Sequence, residues 1–158
     1  MKRQLGQKAP SPPSPQTIFV DRSLGSKKIP DGVRATGVNV EIHDDHFSRD
    51  EDDTKWLAAC GAHSWIFLTK DERIRRDPAE VRAVIAANVH AIFIGRQGIT
   101  AEEMLSDLIP ALPRILKRFR EAKKPSYVLV HKGGRLDRLE VKTGEDGTPR
   151  LSVPDPNT

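Results

Sequence analysis

The 158-residue chain is long enough for one domain with a sizeable core and short for two. Hydrophobic residues make up 37%, and no run approaches the roughly 20 apolar residues of a membrane span. The start Met1-Lys2-Arg3-Gln4 is basic with no apolar stretch behind it, so it does not read as a signal peptide and a cytoplasmic, soluble protein is expected.

A net charge of +4 admits a polyanionic partner without demanding one. The single cysteine, Cys60, excludes an internal disulfide and a multi-thiolate zinc site. Basic residues crowd one segment, Arg114, Lys117, Arg118, Arg120, Lys123 and Lys124, while acids concentrate at 41–53. An acidic pocket with a basic flank suits a metal-dependent enzyme acting on a phosphodiester, although a solvated helix face gives the same pattern.

Residues 1–16 are rich in Pro, Ser, Gln and Lys without periodic apolar positions, which predicts a disordered tail. A first strand over about 17–21 ends at Asp21. A helix follows near 30–36, with Pro30 in its first turn and Gly37 past its end. Alternation from Val38 to Ile42 predicts a second strand, and 43–50 a polar loop. The next helix, about 52–62, puts Trp56, Leu57 and Cys60 on one face. The apolar run Ser64 to Thr69 is a third, buried strand.

Asp77-Pro78-Ala79-Glu80 begins another helix, carrying Val81, Val84 and Ile85. His90 to Ile94 is a fourth strand. Thr100 and Glu103 form a capping-box pattern ahead of Met104, Leu105, Leu108, Leu112, Ile115, Leu116 and Phe119 at helical spacing. Pro110 and Pro113 inside that pattern predict a kink or split near 109–113. Ser126 to His131 is a fifth strand. From about 143 the sequence reads as a flexible tail, leaving one domain over 17–142.

Strict alternation of strands and crossover helices predicts an α/β fold with a parallel sheet covered on both faces. Sites in such sheets form beyond the carboxyl ends of the strands. Asp21 and Asp71 follow the first and third strands, and the acidic loop 43–53 follows the second. One sheet edge therefore gathers Asp21, Asp53 and Asp71 as a carboxylate cluster suited to a divalent cation.

Each acid also has a plainer use. Asp21 and Asp71 serve turns, and Asp52 or Asp53 caps a helix and complements its dipole. His43-Asp44-Asp45-His46 is a poor single metal site, because adjacent loop residues rarely reach one ion. Thr69 orients a water or phosphate, or simply fills a strand. Cys60 belongs to the core. Gly133-Gly134 has neither the P-loop nor the dinucleotide-binding spacing, and no nucleophile elbow is present.

Taken together, Phe19-Val20-Asp21-Arg22-Ser23-Leu24-Gly25, His43-Asp44-Asp45-His46-Phe47, Asp53 with Trp56 and Leu57, and Phe67-Leu68-Thr69-Lys70-Asp71 with Ile74 and Arg75 resemble PIN-like domains over about 17–131. The likeness is to the compact VapC-type, toxin-like branch. It implies a three-layer α/β/α sandwich with a central parallel sheet of about five strands. It also implies Mg2+- or Mn2+-dependent endoribonuclease activity, with RNA as substrate and an antitoxin protein as partner. A second copy of the chain, as a homodimer, is a further expected partner.

The family's acids fall on Asp21, Asp53 and Asp71 as catalytic metal ligands. A fourth acid often follows the next strand, but Ile94-Gly95-Arg96-Gln97-Gly98 holds none. Either Asp44, Asp45 or Glu72 takes its place, with Asp45 the candidate for an additional ligand, or one ion binds, or the site is weakened. Arg73, Arg75, Arg76 and Arg96 are the candidates for holding phosphates. The alternative is a catalytically degenerate PIN-like module that binds RNA or a protein partner.

Overall fold

The computed structural model describes residues 16–154. The expected N-terminal tail lies outside them except for Gln16, whose amide donates to the Leu116 carbonyl at 3.0 Å.

Strands β1 (Thr17–Val20), β2 (Asn39–Ile42), β3 (Ile66–Thr69), β4 (His90–Ile94) and β5 (Ser126–Val130) alternate with helices α1 (Lys28–Arg34), α2 (Asp53–His63), α3 (Arg73–Arg76), α4 (Pro78–Ala87) and α5 (Ala101–Glu121). The first five strands pair in parallel, in the order β2-β1-β3-β4-β5. The order reverses between β1 and β3, where α/β sheets place their sites.

The sheet has seven strands rather than five. Strands β6 (Leu136–Thr143) and β7 (Pro149–Ser152) add an antiparallel hairpin beside β5. The flexible tail expected from 143 is thus partly a strand, anchored by Leu151, which is buried against the core. The hairpin is hard to read because only Leu139 and Leu151 in it are buried, while Arg138 and Glu140 face water. Charged residues of this kind are usual near a sheet edge, where they discourage further pairing.

Alternating side chains divide the parallel strands between two cores. Ile18, Val20, Ile66, Leu68, Ile92 and Ile94 pack with α1 and α5 on one face. Phe19, Phe67, Phe93 and Leu129 pack with Trp56, Leu57 and Cys60 of α2 and Val81 and Val84 of α4 on the other. This is the three-layer α/β/α arrangement. Helices α2 and α4 approach so closely that a Cβ on Gly61 would lie 2.3 Å from the Ala87 carbonyl oxygen, so glycine is required there.

Helix α5 is not split at its prolines. Pro110 and Pro113 lie on its exposed face, where the carbonyls they leave unpaired can be solvated. Leu108, Ala111, Leu112 and Ile115 hold the opposite face to the sheet through this stretch. Its start is the capping box expected, with Thr100 and Glu103 bonded reciprocally. Among the described residues no helix is long and apolar enough to cross a membrane.

Candidate active site

Asp21 sits one residue past β1, where its backbone N–H donates to the Leu68 carbonyl at 2.9 Å and so extends the ladder with β3. Arg22–Leu24 then turns as a short 3-10 helix, closed by the Leu24 N–H on the Asp21 carbonyl at 3.0 Å. The carboxylate is 6% exposed. Its Oδ2 accepts hydrogen bonds from Thr69 Oγ1 at 2.6 Å and Ser23 Oγ at 2.8 Å. Burial raises its proton affinity above that of an ordinary aspartate; the Thr69 and Ser23 hydroxyls oppose this, and the charges of Asp53 and Asp71 add to it.

Thr69 is therefore more than a strand residue. Its hydroxyl oxygen also accepts the Asp71 backbone N–H at 3.0 Å, linking the ends of β1 and β3. Asp71 is turned onto Arg73, whose Nη2 and Nε donate to its two oxygens at 2.8 and 3.1 Å. Those bonds hold the Asp71 carboxyl below its ordinary pKa despite partial burial.

Asp52 caps α2, accepting from the Thr54 N–H at 3.3 Å, which leaves Asp53 free of that duty. Asp53 Oδ1 instead accepts from the indole Nε1 of the buried Trp56 at 2.9 Å. Asp21, Asp53 and Asp71 line one cavity of about 270 Å3, together with Glu51 and the cations Arg22, Arg49 and Arg73.

A further carboxylate enters from α4. Glu80 was expected to help start that helix, and Asp77 does cap it through the Ala79 N–H at 3.0 Å. Glu80, however, contacts Asp53. Burial, that hydrogen bond and the charges of Asp53, Asp77 and Asp71 push its carboxyl up to about 7. It does not line the cavity itself. The sequence signal was available, an acid in the first turn of the helix after β3, but capping explained it too readily.

The expected auxiliary residues fare differently. Asp45 is exposed and does not line the cavity. The phosphate-holding arginines are mostly engaged elsewhere: Arg75 and Arg76 lie 3.7 and 3.9 Å from Glu72, and Arg96 pairs with the buried Asp107 at 2.8 Å. Only Arg73 of those four reaches the cavity, whereas Arg22 and Arg49, not anticipated, line it. His43 and His46 do not share a site, since His46 Nε2 meets Glu41 at 2.6 Å and His43 is buried against Phe19 and Trp56. Cys60 is core, its thiol pushed up by burial.

The donor set is all hard oxygen, the kind that suits Mg2+ or Mn2+ over softer metals. Burial is the main reason that Asp21 and Glu80 hold their protons more tightly than ordinary carboxyls, and the charges of Asp53 and Asp71 add to it at both. Among the described residues no three His, Cys, Asp or Glu side chains converge closely enough to hold one ion. Asp71 faces Arg73, and Asp53 is shared between Trp56 and Glu80.

Comparison with known proteins places this edge in a family. Residues 16–96, which span β1 through β4 and carry all four carboxylates, match the family described as PIN like domain. The chain belongs to the PIN-like domain family. It is 32% identical over 107 residues to the Mycobacterium tuberculosis protein named "Putative ribonuclease VapC45", covering 65% of this chain and 78% of that protein. No solved structure shows a significant match.

Proposed function

We propose that the protein is a Mg2+- or Mn2+-dependent endoribonuclease, acting as the toxin of a toxin–antitoxin pair, in which Asp21, Asp53 and Asp71 hold the ion. The observation that carries this reading is the placement of those carboxylates around one cavity at the switch point of the sheet, beside three arginines. The name of the similar Mycobacterium protein supports the choice of RNA as substrate.

When bound, the ion supplies positive charge against the phosphoryl oxygens and lowers the pKa of a water. The chain's own side chains do the rest. Thr69 and Ser23 fix the Asp21 carboxylate, and Trp56 fixes Asp53. Arg22 and Arg49 offer donors to the phosphate backbone from the cavity wall. Release of Asp71 from Arg73 frees one carboxylate for the ion and one guanidinium for a phosphate.

The test is cleavage of RNA with Mn2+ by the wild type and by Asp21→Asn, which keeps the acceptor for Thr69 while removing the charge. Cleavage should be abolished in the variant, and unchanged cleavage would end the proposal. Growth arrest on expression, relieved by the same substitution, would support the toxin role.

The clasp of Arg73 on Asp71 favours a second reading, a catalytically degenerate module that binds RNA or a protein partner. Wild-type protein that binds RNA but leaves it intact in Mn2+ would select that reading.

A further inference from the structure

A second cavity, of about 320 Å3, opens beside the carboxylate cavity. Arg22, His43 and Arg49 line both, so the two share a wall. Ser26 and Asp44 line only the outer one. Its size is near the low end for sites that hold a small organic group, roughly 300 Å3 and upward.

Its polar groups are loosely engaged. Arg22 Nε stands 3.8 Å from Asp44 Oδ1, and Arg22 Nη1 reaches the Arg49 carbonyl only at 3.4 Å. His43 is 4% exposed, and among the described residues its Nδ1 has no hydrogen-bond partner, although Asp44 Oδ1 lies 3.5 Å away. A buried ring nitrogen without a partner is costly unless something supplies one.

We propose that this outer cavity seats the nucleotide next to the scissile phosphate, and that Asp44 selects guanine. The identity of the polymer rests on the ribonuclease reading. Arg22 and Arg49, on the shared wall, are placed to hold the phosphate linking the two nucleotides. Asp44, as a carboxylate, only accepts hydrogen bonds. Guanine alone presents two adjacent donors, N1–H and the 2-amino group, on its Watson–Crick edge. Adenine, cytosine and uracil each set a single donor group beside an acceptor, which a carboxylate repels. Single-stranded RNA exposes these edges for reading.

The test uses wild-type protein in EDTA, so that no cleavage is needed, and labelled hexauridylates with one internal residue replaced by guanosine, inosine, adenosine or cytidine. Fluorescence anisotropy should show guanosine binding roughly tenfold tighter than adenosine, the scale of one bidentate base contact. Inosine, lacking the 2-amino group, should fall between them. Asp44→Asn should erase the preference, whereas Arg49→Ala should weaken all sequences alike.

Equal binding of the four bases, a preference that survives Asp44→Asn, or no binding of any oligonucleotide would overturn the proposal. Failure of metal-dependent cleavage would leave this binding result readable. Cleavage without base preference would remove the guanine pocket and leave the nuclease standing.

Discussion

Asp107 of helix α5, bonded to residues that follow β4 and β5, and Asp21 at the end of β1 are both buried acids, at 1% and 6% exposure. Their surroundings are opposite. Asp107 receives two hydrogen bonds from Arg96, at 2.8 and 3.0 Å, and a third from the Gly133 N–H at 3.0 Å. Arg96 holds its carboxyl below the ordinary range. Asp21 accepts from two hydroxyls and, among the described residues, from no cation; burial raises its proton affinity, and the charges of Asp53 and Asp71 add to that. The first carboxylate is paired with an arginine and holds the fold; the second is held by neutral hydroxyls with two further acids nearby, an arrangement that suits a cation.

The contrast yields ordered expectations. Asp53→Asn should reduce Mn2+-dependent RNA cleavage by more than about 100-fold, beyond the 10–100-fold typical of residues that only support a ligand. Its unfolding midpoint in urea should stay close to that of the wild type. Asp107→Ala should do the reverse. It strands Arg96 and the Gly133 N–H, and denaturant unfolding should register a loss of about 3 kcal/mol, the low end for a broken buried pair because Arg96 is partly exposed. A large loss of activity without loss of stability in Asp107→Ala would break the comparison.

Arg73→Ala should strengthen Mn2+ binding several-fold in calorimetry, because Asp71 loses its competing guanidinium. Unchanged affinity would place Asp71 outside the ion's ligands.

The smallest effect concerns Glu80 in metal-free protein. Its folded pKa, about 7, lies above the usual 4.5. Below about pH 4.5 the group is protonated folded or unfolded and contributes nothing. As pH rises toward 7 the unfolded chain gives up this proton first, so folding loses stability, and above 7 the penalty is fully present. Glu80→Gln should therefore match the wild-type Tm near pH 4 and exceed it at pH 8. Partial exposure of Glu80 keeps the difference small. A Tm difference independent of pH would mean that Asp53 and Glu80 do not interact as described.

Much of this edge was legible in the sequence because it follows from periodicity. Ile18-Phe19-Val20 and Ile66-Phe67-Leu68 are buried on both faces and read as continuous apolar runs, so Asp21 and Asp71 had to stand at strand ends. The crossover helices made the strands parallel and brought those ends to one side.

Pairwise choices of charge were not legible. Arg96 and Arg73 are both arginines just past a strand; only three dimensions show that one locks onto Asp107 and the other onto Asp71. Glu80 is three residues from its cap and 27 from Asp53 in sequence, and the close packing of α2 on α4 at Gly61 is what joins the acids. The β6–β7 hairpin was missed because so little of it is buried, leaving a weak alternation of apolar and charged residues.

The central claim is that the carboxylates at the β1/β3 switch point form one divalent-cation site. Calorimetric titration of Mn2+ into the wild type and into Asp21→Asn tests it most directly. The account predicts binding between micromolar and sub-millimolar in the wild type, lost in the variant. No binding by the wild type, or equal binding by both proteins, would contradict it.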